Sequence, residues 1–92
     1  MTIKFDPAKD RINRAKHGLP LSAAERLFQH ATVEFEDDRF DYGESRTIAL
    51  GLIDGRVVVC VHVDRGQTRR IISLRKATSH ETKEYFRFAH GG

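Results

Sequence analysis

The dipeptide Asp54-Gly55 constrains this chain more than any other feature. It separates two apolar runs, 46–53 and 56–63, by two residues, and Asp-Gly at such a junction is the strongest short-range signal for a β-hairpin. A further run at 67–76 follows Arg65-Gly66 and reads as the next strand. Arg is a poor first residue for a tight turn, so a bulged turn that slips the register by one residue stays open there. With two-residue loops the pairing follows by counting. Leu52 faces Val57, Leu50 faces Val59 and Ile48 faces Val61, and across the next turn Val57 faces Leu74, Val59 faces Ile72 and Val61 faces Arg70. That face is expected to be the core. The opposite face carries Thr47, His62 and Arg69 in one row, Ala49, Cys60 and Ile71 in the next, Gly51, Val58 and Ser73 in the third, and Arg56 beside Arg75. Its small middle and basic ends suit either a nucleotide strand or plain solvation.

The segments outside these strands read as helices, apart from a short strand at 32–36. Asp6-Pro7 supplies an N-cap and a first-position proline, Phe5, Ala8, Ile12 and Ala15 follow at helical spacing, and Gly18 stops a helix over about 7–17. Ser22-Ala-Ala-Glu25 reads as a capping box opening a second helix that buries Ala24, Leu27 and Phe28 and ends near 29–31. Thr78-Ser-His-Glu81 is another capping box, opening a C-terminal helix through Tyr85 and Phe88. The pattern predicts an α+β domain spanning residues 1–92, with N-terminal helices and a C-terminal helix packed on one face of a roughly four-stranded antiparallel sheet.

Composition narrows the function. A chain of 92 residues supports one small domain. No apolar run is long enough to span a membrane, the N-terminus lacks the apolar core of a signal peptide, and the single cysteine, Cys60, cannot form an internal disulfide, so a cytoplasmic protein is expected. Six of the thirteen acids lie within 34–44; outside that stretch fifteen Lys and Arg stand against seven Asp and Glu. Such an excess suits an anionic partner, of which nucleic acid is the commonest, or simple solubility. The acidic stretch follows no calcium-loop spacing, and His17, His30, His62, His80 and His90 show no zinc spacing, so no metal or cofactor is expected.

Several residues carry candidate chemistry. His17 follows Lys16 in the last turn of the first helix, where a cation complements the macrodipole; it can serve as a general acid or only satisfy the last carbonyls. Lys9, Asn13 and Lys16 share one side of that helix as a short cationic stripe. His62, beside Arg69 and Thr47 on the expected open face, can act as a base or stand idle. Arg70 falls on the expected core face, where a guanidinium needs a carboxylate or several carbonyls, so it is read either as a structural salt bridge to a helix acid or as a catalytic cation. Arg75 and Lys76 precede the C-terminal helix, and Arg75, with its planar fork, is the better phosphate clamp.

Read together, "KHGL" at 16–19, "DYGESR" at 41–46, "VDRG" at 63–66 and "RIISLRKA" at 70–77, followed by Glu81 and Tyr85, resemble the BrnT family of toxins from bacterial type II toxin-antitoxin systems. The resemblance runs from Phe5 to about Tyr85. It implies a RelE-like fold and a metal-independent endoribonuclease that halts growth by cutting RNA. It also implies a BrnA-like ribbon-helix-helix antitoxin as partner in a hetero-oligomer, which reaches operator DNA only through the antitoxin and represses its own operon. By motif position, Lys16 and His17 match the family's Lys-His-Gly, and Arg46, Arg70, Ser73, Arg75 and Lys76 its strand residues. The chain departs in reading His62-Val63 where relatives have Tyr-Thr, and Pro20 where they often have Ser.

The chemistry so implied is attack of a ribose 2′-OH on the adjacent phosphate. Its candidates are His17 or His62 for proton transfer, Arg70 and Arg75 for charge stabilisation, and Lys16, Arg46, Arg69, Ser73 and Lys76 for holding the substrate. A non-catalytic nucleic-acid binder and a protein-interaction module remain the competing readings. The strands over 46–76 hold no aromatic residue, which counts against a stacking platform for single-stranded RNA.

Overall fold

The computed structural model describes residues 1–39 and 41–90. Asp54 and Gly55 both have positive φ, 51° and 77°, the arrangement a type I′ turn requires, and they join β3 (Arg46–Ile53) to β4 (Arg56–Arg65). Leu52 pairs with Val57, Leu50 with Val59 and Ile48 with Val61, as the count predicts. β5 (Thr68–Lys76) departs from the count in two ways. Arg65 pairs with Thr68, so Gly66-Gln67 form the turn, with glycine at its first position and φ 57°. Higher up, Val61 pairs with Ser73 but His62 with Ile71, so Ile72 is an extra residue that bulges the strand. Below the bulge Arg70 shares a face with Val63; above it Ser73 and Arg75 share that same face, and Arg69 and Lys76 lie on the other. The expected grouping of Arg69 with Arg75 is therefore corrected, because one inserted residue reverses side-chain parity.

β2 (Val33–Asp37) pairs antiparallel with β3, and β1 (Thr2–Lys4) runs parallel to β5, giving the strand order β1-β5-β4-β3-β2. The sheet is thus five-stranded and mixed rather than four-stranded and antiparallel. The extra strand is three residues long, too short for a period-2 signal, and its partner lies over sixty residues away in sequence.

Helices cover both faces, not one. The face of Ala49, Ile53, Val58, Cys60, Ile71 and Leu74 packs against Leu21, Ala24 and Leu27 from the N-terminal helices. The face of Leu50, Val57 and Val59 packs against Tyr85 of the C-terminal helix. The small floor expected to be open is the better buried of the two. Its small residues admit a helix: a Cβ on Gly51 would lie 2.9 Å from Leu27 Cδ1. With helices on both sides, β4 is apolar without alternation, Val57 through Val61 all being buried. Burial pushes the Cys60 thiol up to about 12, which leaves it un-ionised and unreactive.

The caps form largely as expected. In α1 (Pro7–His17) the Asp6 carboxylate accepts from Ala8 N–H, and Gly18, at φ 72°, donates its N–H to the Arg14 carbonyl. In α3 (Ser79–Ala89) the Thr78 hydroxyl and Glu81 carboxylate close a reciprocal capping box. The Ser22 box does not form. A 3₁₀ turn at Leu21–Ala23 leads into the short α2 (Ala24–Leu27), and the Leu21 N–H is satisfied by Asp10 of α1. No described helix is long and apolar enough to cross a membrane.

The apolar stripe expected of α1 is absent: Ile12 is 64% exposed, Ala8 and Ala15 are exposed, and Asn13 is the buried residue. β1 reaches only as far as Arg70, so the next stretch of the β5 edge needs another partner. Asn13 supplies it. Its Nδ2 donates to the Leu74 and Leu19 carbonyls, both at 2.8 Å, and its Oδ1 accepts from Leu74 N–H at 3.1 Å. The side-chain amide thus imitates one residue of a neighbouring strand. Asn13→Ala leaves buried backbone groups unpaired and is expected to destabilise the protein by about 2–4 kcal/mol in urea unfolding; a loss within experimental error of zero would show the clamp to be dispensable.

Candidate active site

The clamp lays α1 along the β5 edge with its C-terminal half beside the bulge. Lys9 and Lys16, four residues before and three after Asn13, flank it on the same side of the helix. Together with Ile12, Asn13, His17, Ile72 and Ser73 they line a groove of about 230 Å³. Lys9 and Lys16 are exposed and His17 is half-buried at the end of α1. The groove therefore joins two cations, an imidazole and a hydroxyl on an apolar base formed by the two isoleucines. Such a set can hold a phosphodiester and move a proton.

Ser73 shares its sheet face with Arg70 and Arg46. Arg70 pairs with Val63 and is exposed; Arg46 pairs with Asp37 at the far side of the sheet. The Arg46 guanidinium lies 4.0 Å from the Tyr42 ring centroid, and its Nε is buried without a hydrogen-bond partner among the described residues. Glu44 is held below the usual carboxylate range, chiefly by its hydrogen bond to Arg65 and also by the field of Arg46 and Arg70. Asp37, buried at the end of the edge strand β2, accepts two hydrogen bonds from Arg39 at 2.8 and 2.9 Å and one from Tyr42 at 3.2 Å; the Arg39 bonds hold its carboxyl down to about 2.

Arg75 lies on the same face but is committed to the fold. It donates two hydrogen bonds of 2.8 Å to Glu81, whose other bond caps α3, and this pairing holds Glu81 down to about 2. It ties the end of β5 to the start of α3.

Three expected site residues lie on the opposite face. His62 does sit beside Thr47, as counted, but it is fully buried. Its Nδ1 is 2.9 Å from Asp64, its Nε2 is 3.5 Å from Glu34 without a hydrogen bond among the described residues, and its ring meets the edge of Phe28. Arg69 forms a bidentate pair with Asp64 and lies 4.2 Å from the Phe28 ring centroid, closing over that histidine. Lys76 is exposed beside Leu19, Pro20 and Arg56. The expected open surface around His62 is thus corrected to a helix-covered core. The apolar neighbours of His62 on β4 were the signal for this, since both of its flanking residues are also buried. No local signal in the sequence marks Asn13 as a clamp or Ile12 as part of a groove. The polar stripe of α1 was visible in sequence, but not that a strand edge would receive it.

The Glu81 pairing has a consequence for pH. Its carboxyl is depressed from 4.5 to about 2, chiefly by Arg75, so the stabilisation is complete above the unfolded value and is lost as pH falls from 4.5 toward 2. Glu81→Gln keeps a residue able to complete the capping box while removing the charge. Its stability measured against pH is expected to fall less steeply between 4.5 and 2 than that of the native protein; superimposable acid limbs would remove the ion pair from the account.

A family model described as the ribonuclease toxin, BrnT, of type II toxin-antitoxin systems matches residues 5–81. No match was found among curated proteins.

Proposed function

The chain belongs to the BrnT family of ribonuclease toxins of type II toxin-antitoxin systems, and from that premise we propose that it is a metal-independent endoribonuclease whose active site is the groove between α1 and β5. The observation that carries this reading is the convergence of Lys16, His17 and Ser73 in one groove, on a sheet face shared with Arg70 and Arg46. These five residues come from the N-terminal helix and two separate strands. Lys16, His17 and Ser73 line the groove itself, and Arg70 and Arg46 lie on the sheet face that Ser73 shares.

In the proposed reaction the ribose 2′-oxygen attacks the adjacent phosphorus and its proton passes to a base. The bond from phosphorus to the 5′-oxygen breaks, and that oxygen takes a proton, leaving a 2′,3′-cyclic phosphate and a 5′-hydroxyl. His17 is the imidazole that lines the groove and is assigned proton transfer. Lys16 and Arg70 meet the negative charge that builds on the phosphate oxygens, and the Ser73 hydroxyl donates to one of them. Lys9 and Arg46 hold neighbouring phosphates. Arg75 acts at a distance, by fixing β5 against α3. His62, Arg69 and Lys76 are left out of the reaction, the first two because they are locked in the Phe28 cluster. Metal independence is supported by the groove's own character: cations stand where charge must be stabilised.

Growth arrest by RNA cleavage, neutralisation by a BrnA-like ribbon-helix-helix antitoxin in a hetero-oligomer, and joint repression of the operon complete the proposal. A type II system implies a protein antitoxin and an RNA substrate; the identity of that antitoxin and its operator contact are inferred from the family resemblance. Incubation of the purified protein with RNA in EDTA is expected to yield cyclic-phosphate ends. His17→Ala and Arg70→Ala are each expected to slow this about 10²-fold or more with unfolding curves unchanged. Binding of RNA without cleavage, or full activity in both variants, would overturn the assignment.

A further inference from the structure

The edge strand farthest from the groove carries a second unusual surface. Phe35 of β2 and Phe86 and Phe88 of α3 are 40%, 41% and 46% exposed, and the rings of Phe35 and Phe88 meet edge to face at 5.7 Å. Large apolar side chains clustered at a sheet edge mark an interaction surface more often than an idle one. β2 ends the strand order, so along its outer side half of its backbone N–H and C=O groups point away from β3.

The two sides of that edge differ in chemistry. Phe35 pairs with Ile48 and lies on the α3 side, next to Phe88; Glu34 and Glu36 pair with Ala49 and Thr47 and point to the opposite side. A strand added beside β2 would place alternate residues next to the phenylalanines and the intervening ones next to the glutamates. Its best sequence alternates apolar residues with Lys or Arg. A second copy of this chain fits poorly, since pairing β2 with itself would set Glu34 and Glu36 against like charges.

We propose that the outer edge of β2, with Phe35 and Phe88 on one side and Glu34 and Glu36 on the other, is the docking site for an extended segment of the partner antitoxin, taken up as a sixth strand with alternating apolar and basic residues. The existence of a protein partner rests on the toxin-antitoxin reading; the site and the chemistry of the segment rest on the edge itself. Because β2 and the β5 edge lie toward opposite ends of the strand order, such a segment anchors the antitoxin without filling the groove.

The test titrates the full-length protein with a terminally blocked peptide alternating Val and Lys, and with its Val and Glu counterpart, and follows amide exchange. The Val-Lys peptide is expected to bind and to slow exchange within residues 33–37. Phe35→Ala and Phe88→Ala should each weaken it about tenfold, and Glu34→Lys with Glu36→Lys should shift the preference to the Val-Glu peptide. The proposal is overturned if 33–37 gain no protection, if the charge-reversed protein keeps the original preference, or if the free protein dimerises through this strand. RNA cleavage is not the readout, and His17→Ala should bind the peptide as the native protein does. A failure of the catalytic assignment and a failure of this one are therefore seen separately.

Discussion

The amide of Asn13 against the backbone of Leu74 is the contact on which the remaining geometry depends. It satisfies a strand edge that β1 is too short to reach, and it does so with a side chain that belongs to a helix. A helix held this way must show the strand edge a polar stripe, which is why α1 leaves Ile12 exposed. The same contact fixes the rotation of α1 about its axis, and so decides that Lys9 and Lys16 flank the groove. An apolar interface would hold the helix less exactly in register, since hydrophobic burial has no direction while an amide making three hydrogen bonds does.

Charge is distributed in two ways. Asp37 with Arg39, Asp64 with Arg69 and Glu81 with Arg75 are bidentate pairs that spend their cations on architecture. Lys9, Lys16 and Arg70 remain exposed around Ser73. The basic excess is therefore partly structural, and Lys9 and Lys16, among its exposed members, line the groove. The acids of 34–44 gather at the other end of the sheet, on and after β2 and away from the groove.

The His62 cluster illustrates how a plausible site in sequence becomes core in the fold. Thr47, His62 and Arg69 do share one face, but the N-terminal helices cover that face instead of leaving it open. Periodicity identifies two faces but cannot rank them when both are apolar, and β4 is apolar on both. The small residues Ala49, Gly51 and Cys60 suit a ligand or a closely packed helix equally well; Leu27 takes the space.

Local features are legible from adjacent residues alone: the Asp54-Gly55 turn, the pairing of β3 with β4, the Asp6 and Thr78 caps, and the Gly18 stop each follow from a few neighbouring residues whose backbone preferences leave one arrangement. The family motifs, spread along the chain in order, also point to Lys16, His17, Arg46, Arg70, Ser73, Arg75 and Lys76, without saying which of them share a surface. The remaining features arise only in the assembled fold. The bulge at Ile72 sets which cations share a face with Ser73, β1 arrives from the other end of the chain, and Asn13 is recruited by an edge that exists only once the sheet has formed. Each depends on contacts between segments distant in sequence, whose balance of packing and hydrogen bonding no local pattern records.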